Sequence, residues 1–94
     1  MNSRPLVFRI HAVQRMFERH ISEESVRQVL QSGELIEDYS DEMPRPGGLM
    51  LGKRGNRPLH VVMTENERDN ELIVITVYEP KLSHWKPGFK NRKL

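Results

Sequence analysis

The sequence predicts one α+β domain, in which two N-terminal helices pack on a four-stranded antiparallel sheet. Three observations predict this class. Apolar residues recur with a helical period as far as Gly33, and beyond Gly33 they alternate with the period of a strand. The strand-like segments follow one another closely, which favours antiparallel neighbours with the helices on one face. A length of 94 residues provides one modest core and no second domain.

The first helix is predicted over the segment RIHAVQRMFERHI, residues 9–21. Its apolar stripe consists of Ala12, Val13, Met16 and Phe17. The basic residues His11, Arg15 and Arg19 follow at intervals of four and therefore share one side of the helix.

The second helix begins after Ser22, whose hydroxyl can accept a hydrogen bond from an unpaired amide of the first turn. Gly33 ends this helix. Its packing stripe consists of Val26, Val29 and Leu30.

Four strands are predicted after Gly33, each bounded by turn residues. They are ELIEDY (34–39), LMLGKR (49–54), RPLHVVMT (57–64) and LIVITVYE (72–79). The loop SDEMPRPGG (40–48), the two-residue turn Gly55–Asn56 and the polar segment ENERDNE connect them. Residues 1–80 therefore form the predicted domain, and residues 81–94 form a C-terminal tail that is basic and contains aromatic residues.

His60 lies within the third predicted strand, and alternation assigns it to the face opposite the core. Leu59, Val61 and Met63 face the core in this strand, as do Ile73, Ile75 and Val77 in the next. Pairing Thr64 with Leu72 sets His60 opposite Thr76 and diagonal to Tyr78. The prediction is an open sheet face that carries His60, Thr76 and Tyr78; the simpler alternative is a half-exposed His60 that is hydrogen-bonded to Thr76.

These residue types match the needs of RNA cleavage without a metal ion. That reaction needs a base for the 2′-hydroxyl, an acid for the 5′-oxygen and positive charge on the phosphate, which histidine, tyrosine and arginine can supply. For Arg15 and Arg19 to join His60, the first helix must reach around the edge of the sheet. Otherwise its basic side is a solvated surface.

Charge is segregated along the chain although the net charge is only +2. Residues 81–94 contain five basic residues and no acidic ones, interleaved with Trp85 and Phe89. These two rings either pack against the edge of the core or stack on nucleic-acid bases. The candidate RNA contacts are Lys53, Arg54, Arg57, Lys86, Lys90 and Arg92.

The composition also excludes several classes of site. Without cysteine there is no disulfide, thiolate metal site or cysteine nucleophile, and the composition fits a reducing cytoplasm. The four histidines are scattered, so no metal and no cofactor is predicted, and no serine-type triad is apparent. No signal peptide or run of about twenty apolar residues is present, which predicts a cytoplasmic protein without a membrane span.

Three segments together resemble a bacterial and archaeal family, domain of unknown function 4258. They are HAVQRMFERHIS, LMLGKRGNRPLHVVM and IVITVYEPKLSHWKPGFKNR, and they cover almost the whole chain. The chain departs from the family at His20, where a glycine usually closes the first helix. The family resembles RelE-like and barnase-like (BECR-type) ribonuclease toxins. The resemblance implies a metal-independent endoribonuclease that acts on mRNA and is neutralised by a cognate antitoxin, commonly a zinc-finger protein.

Carried over residue by residue, the polar positions of the family fall on His11, Arg15, Arg19, His60, Thr76 and Tyr78. The resemblance implies that His60 acts as general base or acid with Tyr78 as its counterpart. It also places the arginines on the scissile phosphate, Thr76 against His60, and His11 as a second titrating group. Two alternatives stay open: a non-catalytic module that binds nucleic acid or protein, and a regulatory protein whose acidic second helix binds a basic partner.

Overall fold

The computed structural model describes residues 4–39, 41 and 46–94 and shows a small α+β fold. Its elements are β1 (Leu6–Phe8), α1 (Ile10–Arg19), α2 (Glu23–Ser32), β2 (Glu34–Asp38), β3 (Gly47–Arg54), β4 (Arg57–Asn66) and β5 (Glu71–Tyr78). Of the predicted loop 40–48, residues 40 and 42–45 lie outside the described residues. Gly47 and Gly48 belong to β3 rather than to a loop.

The described strands form one mixed sheet of five strands, in the order β1-β5-β4-β3-β2. The prediction of four antiparallel strands is therefore incomplete, because β1 pairs in parallel with β5. A three-residue strand carries almost no periodic signal, and its partner lies more than sixty residues away in the sequence. The remaining three pairings are antiparallel, as predicted.

Both helices pack on one face of this sheet. The buried core there consists of Ala12, Ile21, Val26, Val29, Leu59, Val61, Val74 and Val77. The predicted stripe of α2 is confirmed, and Ser22 caps that helix by accepting a hydrogen bond from the Ser25 amide at 3.1 Å. The predicted stripe of α1 is correct only for Ala12 and Met16. Val13 and Phe17 are 50% and 84% exposed, because α1 packs mainly against β5 and turns these two side chains away from it.

A bulge in the β4–β5 ladder changes which residues of β5 face the core. Val62 pairs with Thr76, but the next residue, Met63, pairs with Val74, so Ile75 is an extra residue. Val74 therefore joins the core beneath the helices in place of Ile73 and Ile75; Ile73 is still buried, but outside that cluster, and Ile75 is half-buried. The predicted register is also wrong, because His60 pairs with Tyr78 and not with Thr76.

One edge of β5 is only partly covered by β1. Hydrogen bonds to the remaining part of this edge bring α1 close to the end of the sheet. β1 pairs with Leu72, Ile73 and Val74 and extends no further along β5. The Arg9 amide donates to the Val74 carbonyl at 2.9 Å, and Arg19 Nη1 donates to the Val77 carbonyl at 3.1 Å. Arg19 thus reaches across the sheet edge, which is the arrangement that a site shared by α1 and β5 requires.

The C-terminal tail, residues 81–94, folds back over the sheet face that the helices leave uncovered. Trp85 pairs with Arg92 in an isolated bridge, and the Lys93 amide donates to the His84 carbonyl at 2.9 Å. The Trp85 side chain is only 3% exposed. Of the two alternatives for Trp85, packing against the domain is the one observed.

His20 ends α1 in a conformation that favours glycine. Its φ and ψ are 56° and 41°, and its amide hydrogen bonds to carbonyls of the last turn. A side chain with a Cβ is strained in this left-handed region.

We therefore expect His20→Gly to raise the free energy of unfolding by about 1 kcal/mol. Urea denaturation of His20→Gly and His20→Ala measures this gain. Alanine keeps the Cβ and the strain, so His20→Ala should unfold at the wild-type urea concentration. Equal stabilisation by both variants would show that the imidazole, and not the backbone, destabilises this position.

Candidate active site

His60 lies on the sheet face opposite the helices, but that face is not open. Its side chain is 0% exposed. The ring Nδ1 lies 3.2 Å from Tyr78 Oη, and Nε2 lies 2.9 Å from the Phe89 carbonyl oxygen. The prediction of an exposed His60 is wrong because the tail covers the ring. Thr76 pairs with Val62, and neither nitrogen of His60 bonds to it, so the predicted orienting role of Thr76 is not observed.

The two partners of His60 determine which nitrogen carries the proton. A carbonyl oxygen can only accept, so Nε2 donates to Phe89. Burial lowers the pKa of His60, which keeps the ring neutral near pH 7. Nδ1 is then a lone-pair acceptor, and the Tyr78 hydroxyl donates to it. Tyr78 therefore directs its proton towards His60 and keeps its oxygen lone pairs for another donor.

Trp85 and Arg92 hold the tail over His60. The Trp85 ring meets the His60 ring edge-on at a centroid distance of 4.5 Å. The Arg92 guanidinium carbon lies over the Trp85 ring, 4.7 Å from its centroid. Arg92 also donates to both carboxylate oxygens of Glu37, at 2.8 and 3.0 Å. The tail is thus anchored to β2 by a bidentate ion pair.

The ionisation of the anchor follows from these contacts. The hydrogen bond from Arg92 lowers the pKa of Glu37, so the carboxylate stays charged at neutral pH. Tyr39 donates its hydroxyl to Glu37. Burial, and after it this hydrogen bond, raises the pKa of Tyr39 to about 12. Glu37 therefore presents a fixed negative charge to Arg92, which keeps that guanidinium in place over Trp85.

Next to this anchor, a cavity of about 520 Å³ opens between the end of α1, the end of β5 and the tail. Its lining residues are Arg19, Tyr78, Glu79, Pro80, Lys81, His84, Trp85 and Arg92. The cavity unites three of the residues singled out from sequence, Arg19, Tyr78 and Arg92. Two further polar residues in the lining, Lys81 and His84, were not predicted as site residues.

The cavity carries an excess of positive charge. Its one carboxylate, Glu79, is bound by Arg54 at 2.7 Å and by Arg57 at 2.6 Å. Arg19 and Lys81 have no carboxylate partner within the described part of the chain. Burial raises the pKa of Tyr78, so its hydroxyl stays protonated at neutral pH. An anion in this cavity would meet two cations and a neutral hydroxyl.

His84 is the histidine of the cavity, and sequence reasoning missed it as it missed Lys81. It lies exposed at the rim, and its Nδ1 is 3.1 Å from Ser83 Oγ. Nothing in the pattern SHW assigns a role to this histidine by itself. Its position depends on Trp85, because burial of that ring holds the preceding residue at the edge of the cavity.

His11 and Arg15, and every predicted RNA contact except Arg92, lie outside the cavity. His11 and Arg15 are exposed on α1, and Arg15 lies 3.7 Å from Glu18. Among the predicted RNA contacts, Arg54 and Arg57 bind Glu79, Arg92 binds Glu37, and Lys90 Nζ lies 2.9 Å from Glu34. Lys53 and Lys86 are exposed and form no ion pair with the described residues. The predicted basic surface is therefore largely neutralised by acidic side chains of the same chain.

The described residues contain no cluster of three or more histidine and carboxylate side chains that could hold a metal ion. None of their helices combines the length and the apolar character needed to cross a bilayer.

Fold and site together define a small single-domain α+β protein with a cationic cavity where the sheet, α1 and the tail meet. The chain belongs to the family described as domain of unknown function (DUF4258), which matches residues 8–79. No curated protein and no solved structure matches the chain. The family membership predicted from the motifs is confirmed, and the likeness to ribonuclease toxins stays a prediction. The matched segment ends before the tail that supplies Lys81, His84 and Arg92.

The buried His60 makes stability depend on pH. Its pKa in the folded chain lies below the ordinary value of 6.5, so the unfolded chain binds a proton more readily. The stabilisation is fully present above pH 6.5 and is lost as the pH falls towards the folded pKa. We expect His60→Gln to be less stable than wild type at neutral pH and to lose less stability on acidification to about pH 5.5.

Urea denaturation at the two pH values measures this difference. His11→Gln, which replaces an exposed histidine, should keep the pH dependence of the wild type. If His60→Gln kept it as well, the pH dependence would arise elsewhere in the chain.

Proposed function

We propose that this protein is a metal-independent endoribonuclease, the toxin of a toxin–antitoxin pair, with its active site in the cavity of Arg19, Tyr78, Lys81 and His84. The observation that carries the proposal is the convergence in one cavity of two proton-transfer groups and two cations without carboxylate partners among the described residues. RNA cleavage needs this combination, since a phosphate must be bound while protons move at two of its oxygens.

In the proposed reaction the 2′-oxygen of one nucleotide bonds to the adjacent phosphorus and the bond from phosphorus to the 5′-oxygen breaks. The 2′-hydroxyl proton passes to Tyr78 Oη while the proton of Tyr78 passes to His60 Nδ1. The imidazolium form of His84 gives a proton to the departing 5′-oxygen. The products are a 2′,3′-cyclic phosphate and a 5′-hydroxyl, and exchange with water restores both histidines.

The hydrogen bonds of His60 support this assignment. Nδ1 is the acceptor of the Tyr78 proton in the resting protein, so the transfer follows an existing hydrogen bond of 3.2 Å. The Phe89 carbonyl and the negative charge of Glu37 both favour the charged form of the ring. In this proposal His60 does not touch RNA, and it acts as a positioning and proton-accepting residue behind Tyr78.

Arg19 and Lys81 are proposed to bind the phosphate and to stabilise the charge that builds up on its oxygens. His11 and Arg15 lie on the same side of α1 as Arg19, because the three are spaced by four residues. They are proposed to contact the RNA backbone outside the cavity. Because phosphate contacts displace counterions, RNA affinity should fall as the salt concentration rises.

An exposed apolar side of α1 supports the binding of an antitoxin or another partner protein. Ile10 and Phe17 are 72% and 84% exposed, and Val13 lies between them on the same side. Aromatic and aliphatic side chains of this kind dominate protein interfaces. This side favours the second candidate function, a protein-binding module, should RNA cleavage be absent.

The test is cleavage of a 5′-labelled single-stranded RNA by the purified protein in the presence of EDTA. We expect products with a cyclic phosphate end, and a rate that falls by at least about 100-fold in His84→Ala and in Tyr78→Phe. His20→Gly replaces an exposed histidine outside the cavity and should cleave at the wild-type rate. Circular dichroism establishes that each variant is folded.

A second readout addresses His60. If it accepts the proton of Tyr78, His60→Gln should lower the rate and remove the acidic limb of the rate–pH profile. Growth arrest and RNA fragmentation after induced expression should be weakened in the variants that cleave slowly and unchanged in His20→Gly. Cleavage by His84→Ala at the wild-type rate, or its abolition by EDTA, would contradict the proposal.

A further inference from the structure

A second and larger cavity, which we call the groove, lies on the other side of residues 86–90, which we call the tail loop. Its volume is about 920 Å³, and it runs between the C-terminal half of α2, the β3–β4 hairpin and residues 88–90. Apolar surface is supplied by Val29, Leu51, Pro58 and Phe89. Polar and charged side chains also line it, namely Gln28, Ser32, Glu34, Asn56, Lys53 and Lys90, together with three glycines. A lining that combines apolar side chains with hydrogen-bonding groups suits an aromatic heterocycle.

Phe89 adopts a backbone conformation that is unfavourable for it. Its φ is 61°, in the left-handed region where glycine is favoured, and its amide donates to the Lys86 carbonyl at 2.9 Å to close a turn. The carbonyl of Phe89 binds His60, and a glycine could make both backbone contacts without strain. Strained residues of this kind cluster at ligand-binding positions. We therefore infer that the phenyl ring, and not the backbone of residue 89, is the reason for a phenylalanine at this position, and that it contacts a ligand in the groove.

The groove and the cavity of Arg19 and Tyr78 are joined by one histidine. His60 binds Tyr78 through Nδ1 and Phe89 through Nε2, so the cavity and the groove lie on opposite sides of a single ring. The loop between them carries Lys86 and Lys90. The one carboxylate of the groove, Glu34, is already paired with Lys90 at 2.9 Å. Lys53 remains without an ion pair in the described ranges, so the charge favours an anionic chain that continues across the tail loop.

We propose that the groove binds a nucleobase of the same single-stranded RNA whose phosphate occupies the cavity. The base stacks on Phe89, Asn56 and Gln28 meet its polar edge, and Lys53 binds a neighbouring phosphate. This inference rests on the proposed function for its substrate, and it adds a subsite that selects single strands, because a paired base cannot enter the groove.

The experiment measures binding separately from cleavage. A fluorescein-labelled pentanucleotide with 2′-O-methyl groups throughout has no free 2′-hydroxyl, and fluorescence anisotropy gives its Kd. We expect Phe89→Gly to raise the Kd about tenfold, since one stacked base contributes on that scale. Phe89→Gly keeps the carbonyl that binds His60 and removes the backbone strain, so the variant should fold.

The matched control is Phe89→Tyr, which keeps a ring for stacking and should bind within about twofold of wild type. An abasic position introduced at each nucleotide in turn should weaken wild-type binding at one position, and there Phe89→Gly should lose no further affinity. Three results would overturn the subsite: no binding of the pentanucleotide by wild type, equal Kd values for wild type and Phe89→Gly, or tight binding of a fully paired duplex that Phe89→Gly leaves unchanged.

The two proposals fail in different ways. Binding that depends on Phe89 without cleavage of the unmodified RNA would support the groove and contradict the endoribonuclease. Cleavage that depends on His84, with no effect of Phe89→Gly on the Kd of the pentanucleotide, would support the endoribonuclease and contradict the groove.

Discussion

The structure around the candidate site depends on the pair of hydrogen bonds made by His60. A buried imidazole is costly unless both nitrogens have partners, and here Tyr78 and the Phe89 carbonyl satisfy them. Phe89 belongs to the tail, so the tail cannot leave without exposing one nitrogen and the ring of Trp85 to water. His60 therefore connects the sheet to a segment that would otherwise have little reason to fold, and it sets the boundary between the cavity and the groove.

The position of α1 follows from a second constraint, the incomplete edge of β5. Backbone carbonyls at a sheet edge need donors, and a three-residue β1 supplies them only as far as Val74. The Arg9 amide, just after β1, donates to the Val74 carbonyl, and beyond Val74 the Arg19 guanidinium donates to the Val77 carbonyl. The same hydrogen bond that completes the edge places the side chain of Arg19 beside Tyr78. The need of the Val77 carbonyl for a hydrogen-bond donor thereby brings the guanidinium of Arg19 to the end of the sheet.

Much of the fold could be predicted from local patterns, and the exceptions have physical causes. Ser22 and Gly33 delimit α2 through backbone chemistry that operates within a few residues, and the alternation around Leu59 and Val61 identifies the core face of β4. The bulge at Ile75 does not show in the alternation, because Val74 and Ile75 are equally apolar, and it shifts the register by one residue. The pairing of β1 with β5 joins segments that are far apart in the sequence, so local patterns do not predict it either.

The candidate site was predictable only in part for the same reason. Tyr78 and Arg19 stand on regular elements, so their spacing carried information, whereas His84 is placed by the burial of Trp85 in a segment without periodicity. The prediction that His60 is exposed was wrong, because the sequence around a strand does not show whether a distant segment will cover one face of the sheet. The basic composition of the tail predicted a ligand-binding surface, yet Arg92 forms an ion pair with Glu37 that anchors the tail to the sheet.

Two groups of cations near the tail differ in their partners, and this difference explains how a chain with a net charge of +2 can still produce a phosphate-binding region. Arg54, Arg57 and Arg92 are bound to Glu79 and Glu37, where bidentate or short contacts fix their geometry. The pairs with Glu79 hold the turn between β3 and β4 against the end of β5, and the pair with Glu37 holds the tail against β2. Arg19, Lys81, Lys53 and Lys86 lack such partners in the described ranges. Arg19 and Lys81 line the cavity, Lys53 lines the groove, and Lys86 lies in the loop between them. Acidic side chains therefore neutralise cations that organise the structure, while these four stay available to attract a polyanion.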